Sequence, residues 1–488
     1  MNSALVMPAA GPAAPTGASR AGAGAASRRL MIDQPRLLDL AAVGAPAPSL
    51  RVPAQPGWRG AWPSGGEAPP PFEAGGTAAF RRRAAEECLD LVAVLRAYRA
   101  PQPDEHWRTP IDSERRLLAQ VNAIIGLGAE ALDQVAALAI DPDLPDPGRV
   151  FAALLVLGCV AGDRWWPAMQ RIFEAAVSRH PEEGAHAVEA LSLSPRTDLP
   201  ELLSPWLGHE SPALRAAAAR VLAFRWELPE RAWETAMRDA APAVVAAALG
   251  APAHQFDPGR CEPLLLTAAH SPAEPVARAA LRLGAALRLP ALHGQATRMA
   301  TRDPGWADAL TAMAIHGHPG DAVLLRAMLR NADRWQAARA AGVLGLPALI
   351  PDLLALHDDP LRNDEERQLA AQALATIAGA APDGDSAGWW RRIAQAPADL
   401  RVRGGRPLGA GVLLARLRGP GWSRAVRQDQ YLELVAASRG QAPRFSPFDF
   451  VAAQEASLQR IADAMVPRDA RDAGDAGDAG AARADGPH

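Results

Sequence analysis

An interval of about thirty residues constrains this chain more than any single motif. From Leu214 an apolar stripe runs through Ala217, Ala218, Val221 and Leu222, at the i+3, i+4, i+7 and i+8 spacing of one helix face. The same stripe follows Val276, Trp306 and Glu366, and looser copies follow Gly184, Val244 and Ala337. Read in order, the anchors are 30, 30, 32, 30, 31 and 29 residues apart. A single globular core imposes no such interval. Stacked units, none of which can bury its apolar face alone, do impose one.

Composition says which units. Hydrophobic residues make up 49% of the 488 positions, with only two tyrosines, and Ala and Leu dominate. Those residues favour helices, and β-branched residues are too thin for a large sheet. No strand is expected. Every basic residue is arginine; lysine is absent, and the net charge is −3. Such a balance offers no global basic field to nucleic acid or to an anionic membrane. Cys88, Cys159 and Cys261 form no Cys-x-x-Cys pair, which suits a reducing, cytoplasmic setting. The longest apolar run, 150–161, falls short of the roughly 20 residues of a membrane span. No apolar segment follows a basic start, so no secretory signal is expected.

Residues 1–75 are Ala/Pro/Gly-rich and read as disordered, with Met31 as a candidate alternative start. Residues 76–146 read as an N-terminal helical cap, 147–380 as the repeats, and 381–404 as a linker carrying Trp389 and Trp390. Residues 405–465 read as a C-terminal helical cap, and 466–488, with Asp-Ala-Gly triplets, as a disordered tail. Within the repeats the helices come in pairs: Leu199–Leu207 with Pro212–Phe224, Cys261–Ala268 with Glu274–Leu287, Asp321–Leu329 with Asp333–Leu344, and Leu346–Leu356 with Asp364–Ile377. Prolines 212, 242 and 304 stand where a first helical turn tolerates them. Ser211 and Asp303 precede two of them as expected N-caps, and Asp112 or Ser113 is an expected cap further upstream. The expected fold is therefore an all-α solenoid.

Pairs of short helices carrying Pro-x-Leu-x-x-Leu-Leu and then Val/Leu-Arg-x-x-Ala-x-x-Ala-Leu resemble HEAT repeats across 147–380. A narrower resemblance follows. Ala370–Gly379, the Trp389-Trp390 linker, Gly405-Arg406-Pro407-Leu408, the Leu413/Leu414/Leu417 helix, Tyr431–Leu434, Phe445-x-Pro447 and Ala452–Gln454 come in an order similar to a bacterial HEAT-repeat family often encoded in type VI secretion gene clusters. That resemblance implies a non-enzymatic scaffold or adaptor binding protein partners, with an accessory role in type VI secretion.

Few reactive groupings stand out against this background. His316-Gly-His318 is the only close histidine pair, and its neighbours Gly317, Pro319 and Gly320 suggest a solvated turn. No phosphate loop, His-Glu-x-x-His or nucleophile elbow occurs, and no cofactor is expected. Deoxyhypusine hydroxylase resembles this architecture but uses several His-Glu pairs; here only His209-Glu210 occurs. Nothing suggests the chromophore site of the bilin lyases. The candidate partner-binding residues are arginines that recur on the second helices, Arg215, Arg220, Arg278, Arg282, Arg334, Arg339 and Arg367, together with Trp389 and Trp390. The alternative is a nucleic-acid binder or DNA glycosylase-like enzyme, its groove lined by these arginines and by Trp226, Trp233, Trp306 and Trp335. The alternatives differ in one observable: whether the arginines face carboxylates or stand free in a basic groove.

Overall fold

In the computed structural model the described residues are 33–40, 74–102, 105–141, 143, 145–251, 257–302, 307–331, 336–379, 393, 395–397, 399–420 and 422–465. Arg334, Trp335, Trp306, Asp303, Trp389 and Trp390 lie outside them. The chain opens with α1 (Ala74–Ala97), α2 (Ile111–Gly126), α3 (Ala129–Ala139) and α4 (Pro147–Gly158). The pairs that follow are α5 (Trp166–Arg179) with α6 (Pro181–Leu193), α7 (Leu199–Leu203) with α8 (Pro212–Arg225), and α9 (Glu230–Met237) with α10 (Pro242–Ala248). Next come α11 (Pro258–Ala269) with α12 (Glu274–Ala286), α13 (Pro290–Arg302) with α14 (Ala307–His316), α15 (Asp321–Leu329) with α16 (Ala337–Leu344), and α17 (Ile350–Asp358) with α18 (Asp364–Ala378).

The second helices stack in one row. Each of α4, α6, α8, α10, α12, α14, α16 and α18 packs on the next, and α1 packs on α4. The first helices lie alongside, each packed on its own second helix, with α9 on α11, α11 on α13 and α15 on α17. The fold is thus an all-α solenoid of HEAT-like helix pairs, and six of the seven anchors fall one to a second helix; the seventh, Trp306, immediately precedes α14. The core lies between the first and second helices. Leu214, Val221 and Leu222 are buried there, as are Val276, Ala280 and Leu283, and Ala370, Ala373 and Leu374. Full burial of such a Leu or Val contributes about 1.5–3 kcal/mol, and this recurs in every repeat.

Proline begins α4, α6, α8, α10 and α11, where its missing N–H has no intrahelical partner to lose. Side-chain caps come from residues other than those expected. Asp146, Asp257, Asn363 and Ser423 accept backbone N–H groups at the starts of their helices. Ser211 makes no such bond, and α2 starts behind Pro110 without a side-chain cap. The row tightens at its end: a Cβ on Gly342 would lie 2.9 Å from the Ala373 Cα, so only glycine lets α16 meet α18 there.

Two stretches depart from the sequence reading. Within the segment expected to be disordered, Leu38 forms a parallel bridge with Val160. Its N–H donates to Cys159 O at 2.8 Å, and its carbonyl accepts from Ala161 N at 2.9 Å. The backbone just past α4 supplies the open donor and acceptor for this pairing. The second departure is a short hairpin, β1 (Val402–Arg403) with β2 (Arg406–Pro407), in a chain where no strand was expected. β1 is held from outside by Val402 N donating to Gly345 O at 2.7 Å.

From this hairpin the chain continues as α19 (Ala410–Arg418), α20 (Arg424–Ala437) and α21 (Val451–Met465). The segment read as a cap does more than cover the last repeat. α20 packs on α12 and α14, and α21 on α19 and α2. Arg99 donates to Phe448 O at 3.0 Å, Trp107 Nε1 to Arg418 O at 3.1 Å, and Val451 N to Glu114 Oε2 at 2.7 Å. Residues 399–465 therefore touch the last repeats, the middle of the row and the N-terminal helices.

Arginines fasten the row along the C-terminal ends of the second helices. Arg196 donates to Val160 O and Gly162 O and pairs with Asp198. Twenty-nine residues on, Arg225 donates to Ser194 O and Arg196 O and pairs with Glu227. Beyond these two, the C-terminal segment supplies the guanidinium groups. Arg444 donates to Phe224 O, Arg401 to Ala314 O and Leu344 O, and Arg403 to Gly342 O and Val343 O. Carbonyls that end a helix lack intrahelical donors and carry the negative end of its dipole, so a cation there satisfies both needs.

A candidate interaction cleft on the second-helix row

The candidate arginines do not converge on one basic groove. Arg215 pairs with Asp239 through two hydrogen bonds, at 2.7 and 2.9 Å, and also donates to His209 O and Glu210 O. Its guanidinium, hydrogen-bonded in this way, holds the Asp239 carboxyl below the usual range. Arg278 takes Glu274 and, at 2.7 Å, Asp308. Arg282 and Arg339 share Asp429 of α20, and Arg367 pairs with Asp364. Burial pushes the Asp429 carboxyl up, while Arg282 and Arg339 pull it back. Only Arg220, among the described candidates, is exposed with no ion pair. Of the tryptophans, Trp233 is fully buried in the core.

Only one of the two close histidines lies in the solvated turn that its neighbours suggested: His318 is exposed and accepts from Gly320 N. His316 ends α14 and stacks on His293 at 4.4 Å, while His293 holds the buried Asp321 at 2.9 Å. Burial, aided by His293, pulls His316 down to about 4. Glycine-rich flanks mislead here because Gly317 ends the helix instead of exposing the histidine; its φ is +77°. No cluster among the described residues could hold a metal ion. His209 Nδ1 accepts from Ser211 N, so the lone His-Glu pair shapes the turn before α8.

One of the cavities that the described residues build lies on the second-helix row. A cleft of about 640 Å³ is floored by small residues of α6, α8, α10 and the turn after α10, among them Ala185, Ala223, Ala246 and Gly250. Phe224 and Phe448 stand in its walls, with Arg96, Arg220, Arg424 and Glu189 around it. It continues into a second cleft of about 460 Å³, where α12 faces Tyr431, Leu432 and Val435 of α20. The helical period sets Ala185, Val188 and Ser192 on one face of α6, and Arg220, Ala223 and Phe224 on one face of α8. Both Glu189 oxygens are committed, Oε2 to Arg96 and Oε1 to Arg99 at 2.7 Å. Arg424 donates to Arg99 O and lies over Phe448, with no ion pair among the described residues. Burial, with Arg99 nearby, pulls it down to about 10. Sequence reasoning missed this cleft, because part of its wall comes from a segment roughly 200 positions later in the chain.

No family model matches the chain, and no curated protein matches it. Solved structures do align with it. Escherichia coli YibA shares 11% identity over 64% of this chain and 98% of its own, with a TM-score of 0.28. An engineered protein shares 16% over 73% and 99%, with a TM-score of 0.29. Human deoxyhypusine hydroxylase in complex with glycerol shares 17% over 62% and 98%, with a TM-score of 0.21. With scores this low, the class of protein rests on the chain's own helix stacking: it is a helical-repeat solenoid. No single helix among the described residues is long and apolar enough to cross a membrane.

Proposed function

We propose that this chain is a non-enzymatic scaffold or adaptor that binds protein partners through its second-helix row. The observation that carries this reading is the cleft: an apolar floor of small residues, rimmed by charge, running along stacked helices. Interface anchors bury well in such a floor, and the rim supplies orientation. The pairing of Arg215, Arg278, Arg282, Arg339 and Arg367 with carboxylates weighs against the nucleic-acid alternative. A phosphate backbone would have to compete with each of those ion pairs. On the resemblance of residues 370–454, the setting we propose is type VI secretion, with an effector or a spike component as partner. The test is affinity purification from cells expressing the neighbouring secretion genes. Co-purification of one of their products supports the reading. If none co-purifies and deletion leaves secretion intact, it is refuted.

A further inference from the structure

The chain already shows how its second-helix row holds a helix. α20 lies on α12 and α14, and its Asp429 takes Arg282 and Arg339 from two different second helices. Tyr431, Leu432 and Val435 of the same helix face the cleft. The recipe is one acidic residue set between arginines, with apolar residues beside it on the same helix. The part of the row just before α20 repeats the receiving half of this recipe, and none of the described residues is seated on it. There α6, α8, α10 and the turn after α10 present a floor of Ala185, Ala223, Ala246 and Gly250, and Arg220 and Arg424 stand beside it with no ion pair among the described residues. Glu189 cannot serve them, since Arg96 and Arg99 hold both of its oxygens.

We propose that this stretch of the cleft, lined by α6, α8, α10 and Phe448, is the docking site for an acidic amphipathic helix of a partner protein. The inference rests on the scaffold reading and names its ligand. Charge complementarity selects the occupant, because the rim carries Arg96, Arg220 and Arg424 against Glu189 alone. Small floor residues let a helix backbone approach closely, and Phe224 and Phe448 flank its apolar side chains. Recognition of this kind reads apolar residues at i, i+3, i+4 and i+7. An acidic residue on the flank of that stripe then meets Arg220.

The probe is a displayed library of 16-residue helical peptides, selected on the full chain, with the best binder then measured as a labelled synthetic peptide by fluorescence anisotropy. Selected sequences are expected to carry aspartate or glutamate beside an apolar stripe. Arg220→Glu, a change at an exposed side chain, should weaken the best binder at least tenfold, and replacing the peptide's acids with lysine should abolish binding. Ala246→Trp, which fills the floor, should abolish it too. The proposal is overturned if the selection returns no acid excess, or if both variants bind within twofold of the parent. It is also overturned if Ala246→Trp instead breaks a self-association of the parent seen by sedimentation, which would seat a second copy there. If secretion partners co-purify equally with the parent and with Ala246→Trp, the scaffold reading survives and this site falls.

Discussion

Replacing Glu433 with alanine should detach the C-terminal segment while leaving the early repeats intact. Arg403 and Glu433 meet at 2.6 Å with side chains 1% and 6% exposed, and Arg403 also holds Gly342 O and Val343 O at the end of α16. Removing one member of a buried pair strands the other charge, at a cost of about 3–5 kcal/mol. A solenoid's stability is a sum of neighbour terms, so the loss should stay local instead of unfolding the whole row. At about 1.4 kcal/mol per tenfold, hydrogen exchange should quicken by roughly two to three and a half orders of magnitude. The amides that report it are those of α20 and of Val402, Gly404 and Gly405, which bond to Gly345, Thr376 and Ile377. Amides of α4 should not change. Arg403→Met with Glu433→Leu should recover part of the loss, since no charge is then stranded, though the α16 carbonyls stay uncovered. A change in α20 exchange of less than threefold in Glu433→Ala would refute the claim that this pair docks the segment.

Three further outcomes are expected. Gly345 has φ +72°, and a Cβ there would meet Val402 O at 2.6 Å; Gly345→Ala should therefore lower the urea midpoint more than Gly128→Ala, where φ is +91° but nothing lies within 4 Å. The Gly128 change should carry only the strain of its glycine-favouring backbone, φ 91° and ψ −171°, about 1–3 kcal/mol. His316 titrates near 4 in the fold against about 6.5 in an unfolded chain, so the unfolded state binds the extra proton. Its contribution is present above pH 6.5 and lost as pH falls toward 4. Urea midpoints measured from pH 7 to 4.5 should fall more steeply for the parent than for His316→Leu. Burial pushes the Cys159 and Cys261 thiols up to about 12, so a thiol reagent on the native protein should label Cys88 first, as mass spectrometry of the peptides would show.

How far the sequence could be read depended on the kind of contact. The second helices were legible because Ala and Leu at helical spacing must face a core, and anchors such as Leu214, Val276 and Glu366 each landed in one of them. The first helices α9 and α13 escaped notice. α9 has eight residues with only Trp233, Ala236 and Met237 buried, and α13 buries Gln295 beside Leu292, Ala296 and Ala300. The path of residues 399–465 was illegible for a different reason. Its anchors are arginines donating to backbone carbonyls, such as Arg444 on Phe224 O, 220 positions away. A carbonyl acceptor leaves no mark on residue type, so no periodicity records it. The arginines of the candidate surface were visible as a recurring pattern, but whether each was paired depended on partners such as Asp239 and Asp429 that only folding brings near.

The reach of the C-terminal segment changes the mechanics of the molecule. A stack of repeats in contact only with neighbours is a spring: small rotations between units add up, and its ends can move far apart at little cost. Here one continuous stretch of chain is tied to Arg99 and Glu114 at one end and to Gly345 and Val343 at the other. Like the string of a bow, it fixes the span between them. Bending the row would have to break buried guanidinium bonds before any repeat yields, so the spacing of the cleft's walls is set by covalent length as much as by packing.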